Sequence, residues 1–132
     1  MDVGVPQSWR NERQRYLIIG SQCETCGESF FPQRQICPNC RRKGKMKERR
    51  FKGNGSIISY TVVYSPPAGY KLKAPYILAL IKLDEGPVVL GTIEDAKPEE
   101  IKIGTKVEQV LRRWIEGKGP NIIHYGFAFR PI

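Results

Sequence analysis

Cys23-Glu24-Thr25-Cys26-Gly27 and Cys37-Pro38-Asn39-Cys40 contain all four cysteines of the chain, and ten residues separate Cys26 from Cys37. Each C-x-x-C pair can offer two thiolates from one tight turn. Two such turns face to face complete a tetrahedron around Zn²⁺. Gly27 follows the first pair, where the backbone often needs a positive φ. Pro38 stiffens the second turn by fixing its φ. A disulfide framework needs an oxidising compartment, and residues 1–6 show no basic-then-apolar export signal. A thioredoxin-type redox centre needs one pair beside a βαβ pattern, which is lacking. Structural zinc held by Cys23, Cys26, Cys37 and Cys40 is the expectation, with iron or disulfides as the alternatives. Four thiolates close the coordination shell, so this metal leaves no position for a catalytic water.

Around this centre the chain is short and unevenly charged. Its 132 residues suit one ordinary domain or two very small ones. No apolar run is long enough to span a membrane. Free thiols, zinc and the lack of an export signal make the cytoplasm the expected location. The formal charge is +9, which a loaded zinc site lowers by about 2. Residues 1–52 hold 12 Lys/Arg against 5 Asp/Glu, whereas residues 53–132 hold 10 against 8. The basic character therefore belongs to the N-terminal part.

Residues 7–15 read as a short helix with Ser8 as N-cap. Trp9 is its single large apolar group, an anchor either within the monomer or on a partner. Residues 16–19 read as a strand entering the first cysteine turn. Residues 29–31 read as a second strand, ended by Pro32, with Phe30 and Phe31 as an apolar cap beside the metal. Residues 41–52 contain eight basic residues and one acid. That run is a phosphate site, a solvated connector, or a ribbon strand with its charged face outward.

From Gly53 the composition changes to short β-branched and aromatic runs between turn signals. Strands are expected at residues 57–64, 76–83, 88–93, 105–114 and 122–130. A helical turn is expected at 98–101 and a loop at 116–121. In the last strand Ile123, Tyr125, Phe127 and Phe129 should face the core, with His124, Gly126 and Ala128 outward and Gly126 relieving crowding or marking a bend. The fold class is mainly β: a short N-terminal helix, a rubredoxin-like zinc ribbon, and a five-stranded OB-fold barrel. The expected units are residues 1–15, 16–52 and 53–132.

Chemistry-bearing residues are few. His124 is the sole histidine, sits mid-strand, and reads as a surface or packed residue. The acid pairs Asp84-Glu85, Glu94-Asp95 and Glu99-Glu100 fall in turns. No phosphate-binding glycine loop is present. A binding module is the expectation. One candidate ligand is single-stranded nucleic acid, with Tyr60, Tyr64, Tyr70 and Tyr76 as stacking platforms, although the balanced barrel is a weak electrostatic groove. The other is a small phosphorylated ligand or a partner enzyme.

Specific residues favour the second. The order Val5-Pro6, Trp9-Arg10, Arg15-Tyr16, Gly20, Cys23-x-x-Cys26-Gly27, Phe31-Pro32-x-Arg34 and Cys37-Pro38-x-Cys40 resembles the two-domain zinc-ribbon/OB-fold family of acyl-CoA-associated proteins. Ser59-Tyr60-Thr61-Val62-Val63, Ala74-Pro75-Tyr76, Leu83-Asp84-Glu85-Gly86 and Ile101-x-Ile103-Gly104 continue the likeness. The resemblance implies a non-catalytic companion of thiolase-type enzymes. In the archaeal type these are acetoacetyl-CoA thiolase and hydroxymethylglutaryl-CoA synthase of the mevalonate pathway. It implies acyl-CoA as ligand. On this reading Trp9, Arg10, Arg34, Arg41, Arg42 and Lys43 are the contacts to coenzyme A or to the partner.

Overall fold

The computed structural model describes residues 5–68, 70–115 and 124–132. Two short helices open the chain, α1 (Val5–Arg10) and α2 (Glu12–Tyr16). The single helix expected at residues 7–15 is thus broken at Asn11, whose φ of −97° and ψ of 6° interrupt it. Pro6 falls in the first turn, where its missing N–H costs nothing, so α1 starts before Ser8. Ser8 is therefore not the cap but a buried residue inside α1.

Three strands follow: β1 (Ile19–Cys23), β2 (Ser29–Phe30) and β3 (Met46–Arg50), in the spatial order β2-β1-β3. The expected strand at 16–19 lies three residues too early, because α2 runs through Tyr16 and β1 extends to Cys23. That extension is set by β3, which pairs Cys23 with Met46 and Ile19 with Arg50. Of the readings of the basic run, its C-terminal part is a ribbon strand. β3 lies at the sheet edge, where charged side chains discourage unwanted strand pairing.

The barrel comprises β4 (Gly55–Val63), β5 (Tyr76–Leu83), β6 (Val88–Ile93), β7 (Lys106–Ile115) and β8 (His124–Pro131). They close in the order β4-β5-β6-β8-β7, with β7 returning to β4 at Gly55↔Val107. Only β6 and β8 run parallel, meeting at Ile93↔Phe129. Strict alternation makes β5 half-buried: Ile77, Ala79, Ile81 and Leu83 point inward. Gly86, at φ +119°, forms the turn into β6, with Leu83 N–H donating to Pro87 O at 2.9 Å. The expected helical turn is a 3₁₀ turn, Pro98–Glu100. Ile122, Ile123 and the loop expected at 116–121 lie outside the described residues.

β8 departs from simple alternation. Phe127 and Phe129 are buried as expected, but Gly126 and Ala128 are buried too, and Tyr125 is 40% exposed. α2 packs on β8, with Arg15 Nε donating to Tyr125 O at 2.7 Å. Gly126 does relieve crowding: a Cβ there would lie 2.0 Å from Trp114 Cε2.

Ile18 and Phe51 come from the ribbon side yet belong to the same buried cluster as Ile57, Ile81, Val107 and Phe129. Phe51 N–H also donates to Ile18 O at 2.9 Å. Phe51→Ala removes a ring that is 1% exposed and should cost about 3–5 kcal/mol. Chemical denaturation should show ribbon and barrel signals shifting together; a shift confined to one of them would contradict a shared core.

Candidate metal centre and ligand-facing surfaces

The two cysteine turns repeat one backbone solution. Gly27 N–H donates to Cys23 O and Arg41 N–H donates to Cys37 O, both at 2.8 Å. The fourth residue after each leading cysteine is left-handed: Gly27 at φ +80° and Arg41 at φ +52°. For Arg41 that conformation costs about 1–2 kcal/mol. The four Sγ atoms lie within 4.8 Å of one another, and Cys26 and Cys37 Sγ are 3.6 Å apart. A tetrahedral zinc with Zn–S of about 2.3 Å requires sulfur separations of about 3.8 Å, so the thiols fit the ion. Gly44 closes the floor; a Cβ there would sit 2.9 Å from Cys40 Cβ.

The thiols do not ionise alike without a cation. The Cys26 backbone N–H, followed by that of Thr25, holds Cys23 down to about 6 against the effect of burial. Burial first, then the neighbouring Cys26, Cys23 and Cys37, pushes Cys40 up to about 12. A divalent ion between them removes that repulsion and leaves a closed, structural crosslink. The apolar cap expected beside this centre is redistributed. Phe30 lies beneath Arg34, whose Cζ is 5.3 Å from the ring centroid. Phe31 leaves the ribbon to meet Phe127 of the barrel edge-on at 5.8 Å.

The remaining expected contacts fall in three places. Arg41, Arg42 and Lys43 are exposed together on the turn after Cys40. Arg34 lies before the second cysteine pair, its N–H held by Ser21 Oγ at 2.9 Å. Arg10 and Trp9 are exposed on α1, Trp9 at 74%, so this ring anchors nothing within the described chain. No hydrogen bond, ion pair or ring contact joins Trp9 or Arg10 to the 41–43 turn among the described residues.

The outer face of β5 and β6 is where an OB fold commonly receives nucleic acid. Here it carries Leu78, Leu80, Val88 and Leu90, with Leu80 opposite Leu90 and Lys82 opposite Val88. Leu90 is 56% exposed and Leu80 is 39% exposed. Tyr76 begins the same outward face of β5. Tyr70 and Tyr76 rest against each other at 5.8 Å, and Tyr64 lies just beyond β4.

A further concavity of about 360 Å³ opens between α1, α2, Phe31 and the barrel residues Trp114, His124 and Phe127. Sequence reasoning missed it, because its walls come from positions more than a hundred residues apart. The Phe31-Phe127 and Trp114-Phe127 ring contacts, with the Ser8-His124 and Arg15-Tyr125 hydrogen bonds, bring them together.

These pieces define a zinc-ribbon/OB-fold protein. Two family models match in tandem: the ChsH2 rubredoxin-like zinc ribbon domain over residues 10–45 and the ChsH2 C-terminal OB-fold domain over residues 48–112. A DUF35 domain-containing scaffold protein of Methanocaldococcus jannaschii is 44% identical over 131 residues, spanning 99% of this chain and 93% of the relative. The chain belongs to the DUF35 zinc-ribbon/OB-fold family. A probable enoyl-CoA hydratase alpha subunit of Thermomonospora curvata is 30% identical over 106 residues, 79% of this chain but 31% of that protein. The solved Ltp2-ChsH2(DUF35) aldolase shares the fold, with a TM-score of 0.69 and 22% identity over 99% of this chain and 96% of the matched chain. Among the described residues no helix is long and apolar enough to cross a membrane.

Cys37 is fully buried. Cys37→Ser should abolish stoichiometric zinc, read by elemental analysis, and unfold the ribbon. Full zinc occupancy in that variant would refute the assignment.

Proposed function

We propose that this chain is a non-catalytic, cytoplasmic scaffold that holds a coenzyme A thioester together with a thiolase-type enzyme. The partner class includes acetoacetyl-CoA thiolase and hydroxymethylglutaryl-CoA synthase-like enzymes of mevalonate or lipid metabolism. Relatives matching nearly the whole chain are described as scaffold proteins, and a more distant one as a probable enoyl-CoA hydratase alpha subunit. The carrying observation is the separation of two surfaces. An exposed cationic turn at 41–43 suits the phosphates of coenzyme A. The aliphatic β5–β6 face and the outward Trp9 suit a protein partner. The proposed units are an N-terminal segment of residues 1–15, a ribbon of 16–52 and a barrel of 53–132.

Single-stranded nucleic acid remains the second reading, carried by the basic run alone. It needs stacking rings beside that charge, and the β5–β6 face is chiefly aliphatic, with Tyr76 at its margin.

Neutralising the turn by Arg41→Gln, Arg42→Gln and Lys43→Gln should weaken coenzyme A binding at least about tenfold, since each lost charge-assisted bond is worth about 1.5–3 kcal/mol. Unchanged affinity removes these residues from the site. Trp9→Ala should weaken the complex with a purified thiolase-type partner by about 2 kcal/mol or more, with zinc content and melting temperature unaltered. Salt-sensitive binding of a single-stranded oligonucleotide, together with no affinity for coenzyme A or a thiolase, would replace the scaffold reading.

A further inference from the structure

The two cysteine turns expose their sulfurs unequally. Cys23 and Cys37 are fully buried, Cys40 is half-buried and Cys26 is exposed. The backbone explains the difference. On the inner side Gly44 closes against the site, where even a Cβ would lie 3.2 Å from Cys23 Sγ. On the outer side Gly27 follows Cys26 into open space, where a Cβ would meet no described atom within 4 Å. The exposed sulfur has a close neighbour on its buried side, because Cys37 Sγ lies 3.6 Å away.

We propose that Cys26 is an oxidation site, at which a hydroperoxide drives formation of a Cys26–Cys37 disulfide and release of the zinc. Access selects the first sulfur, since the oxidant arrives from solvent. Proximity selects the second. In the first step the Cys26 thiolate attacks one peroxide oxygen. The S–O bond forms as the O–O bond breaks, and the leaving hydroxide or alkoxide takes up a proton. Cys26 becomes a sulfenic acid, oxidised by two electrons. In the second step the Cys37 thiolate attacks that sulfur from the buried side. The S–S bond forms as the S–O bond breaks, and hydroxide departs on the solvent side with a second proton, as water. Two thiolates have then lost two electrons, and the hydroperoxide has become water and either an alcohol or a second water. Only Cys23 and Cys40 remain as ligands, where a structural zinc needs four. The effect reaches the cationic turn, which hangs on the same residues. Arg41 N–H donates to Cys37 O at 2.8 Å and Lys43 N–H donates to Cys40 O at 3.1 Å. The proposal uses neither coenzyme A nor a partner enzyme, so it stands or falls apart from the scaffold reading.

The test uses the full, zinc-loaded chain and one equivalent of hydrogen peroxide, with a chromogenic chelator reporting free zinc. Cleavage after Glu24 separates Cys23 from Cys26, so peptide mass spectrometry distinguishes the pairings. The first disulfide should be Cys26–Cys37, with one zinc ion released for each bond formed. Dithiothreitol and added zinc should restore the thiols and the metal. Cumene hydroperoxide, too bulky for a closed core, should release zinc within about tenfold of the hydrogen peroxide rate, because the sulfur it attacks is at the surface. A first disulfide within one turn, Cys23–Cys26 or Cys37–Cys40, would overturn the proposal. So would zinc that stays bound after Cys26 and Cys37 have joined, or a cumene hydroperoxide rate below that limit. A chain that keeps four thiols and its zinc in excess peroxide would overturn it outright.

Discussion

Four sulfur atoms crowded within 4.8 Å of one another are a constraint on which the ribbon depends. Thiolates that close repel, and thiols that close cannot all find partners. A dication resolves both problems and replaces the core that so short a segment cannot build. The backbone is arranged in advance for it. Two turns with matching 2.8 Å bonds place the sulfurs, and Gly44 leaves room beneath them. What apolar bulk the ribbon has, chiefly Ile18 and Phe51, is sent into the barrel. Metal, ribbon and barrel are thus energetically joined through a few residues.

The metal motif and the barrel strands were legible because each rests on local periodicity. Cysteine spacing encodes turn geometry, and alternation encodes which way a strand's side chains face. The misreadings arose where a distant element intervened. β1 is displaced toward Cys23 because β3, a run of charges with no strand signature, pairs with it. Ala128 is buried on a face that alternation alone assigns to water. Phe31 abandons the ribbon for Phe127. Ser8 looked like a cap because its residue type favours that position, yet Pro6 had already begun the helix. The cleft lay beyond any such reading, since residues 8, 15, 31, 114, 124 and 127 form no pattern in the chain.

The barrel illustrates why a fold alone does not name a ligand. Nucleic-acid-binding OB folds present flat rings and cations on one groove. This barrel turns leucine and valine outward on β5 and β6 and keeps Tyr70 and Tyr76 in contact with each other. Its edge-to-face phenylalanines line an interior concavity instead. The same architecture therefore separates three surfaces by chemistry: cationic on the ribbon turn, aliphatic on the barrel wall, and aromatic within the cleft.

The unequal division of charge between residues 1–52 and 53–132 also gives the molecule an electric dipole. An acidic partner surface would exert a torque on it before any contact, turning the ribbon inward during diffusion. Encounters would then begin with the ribbon in front and the aliphatic wall arriving second. Such orientation raises the association rate far more than the lifetime of the complex, and added salt shortens its reach.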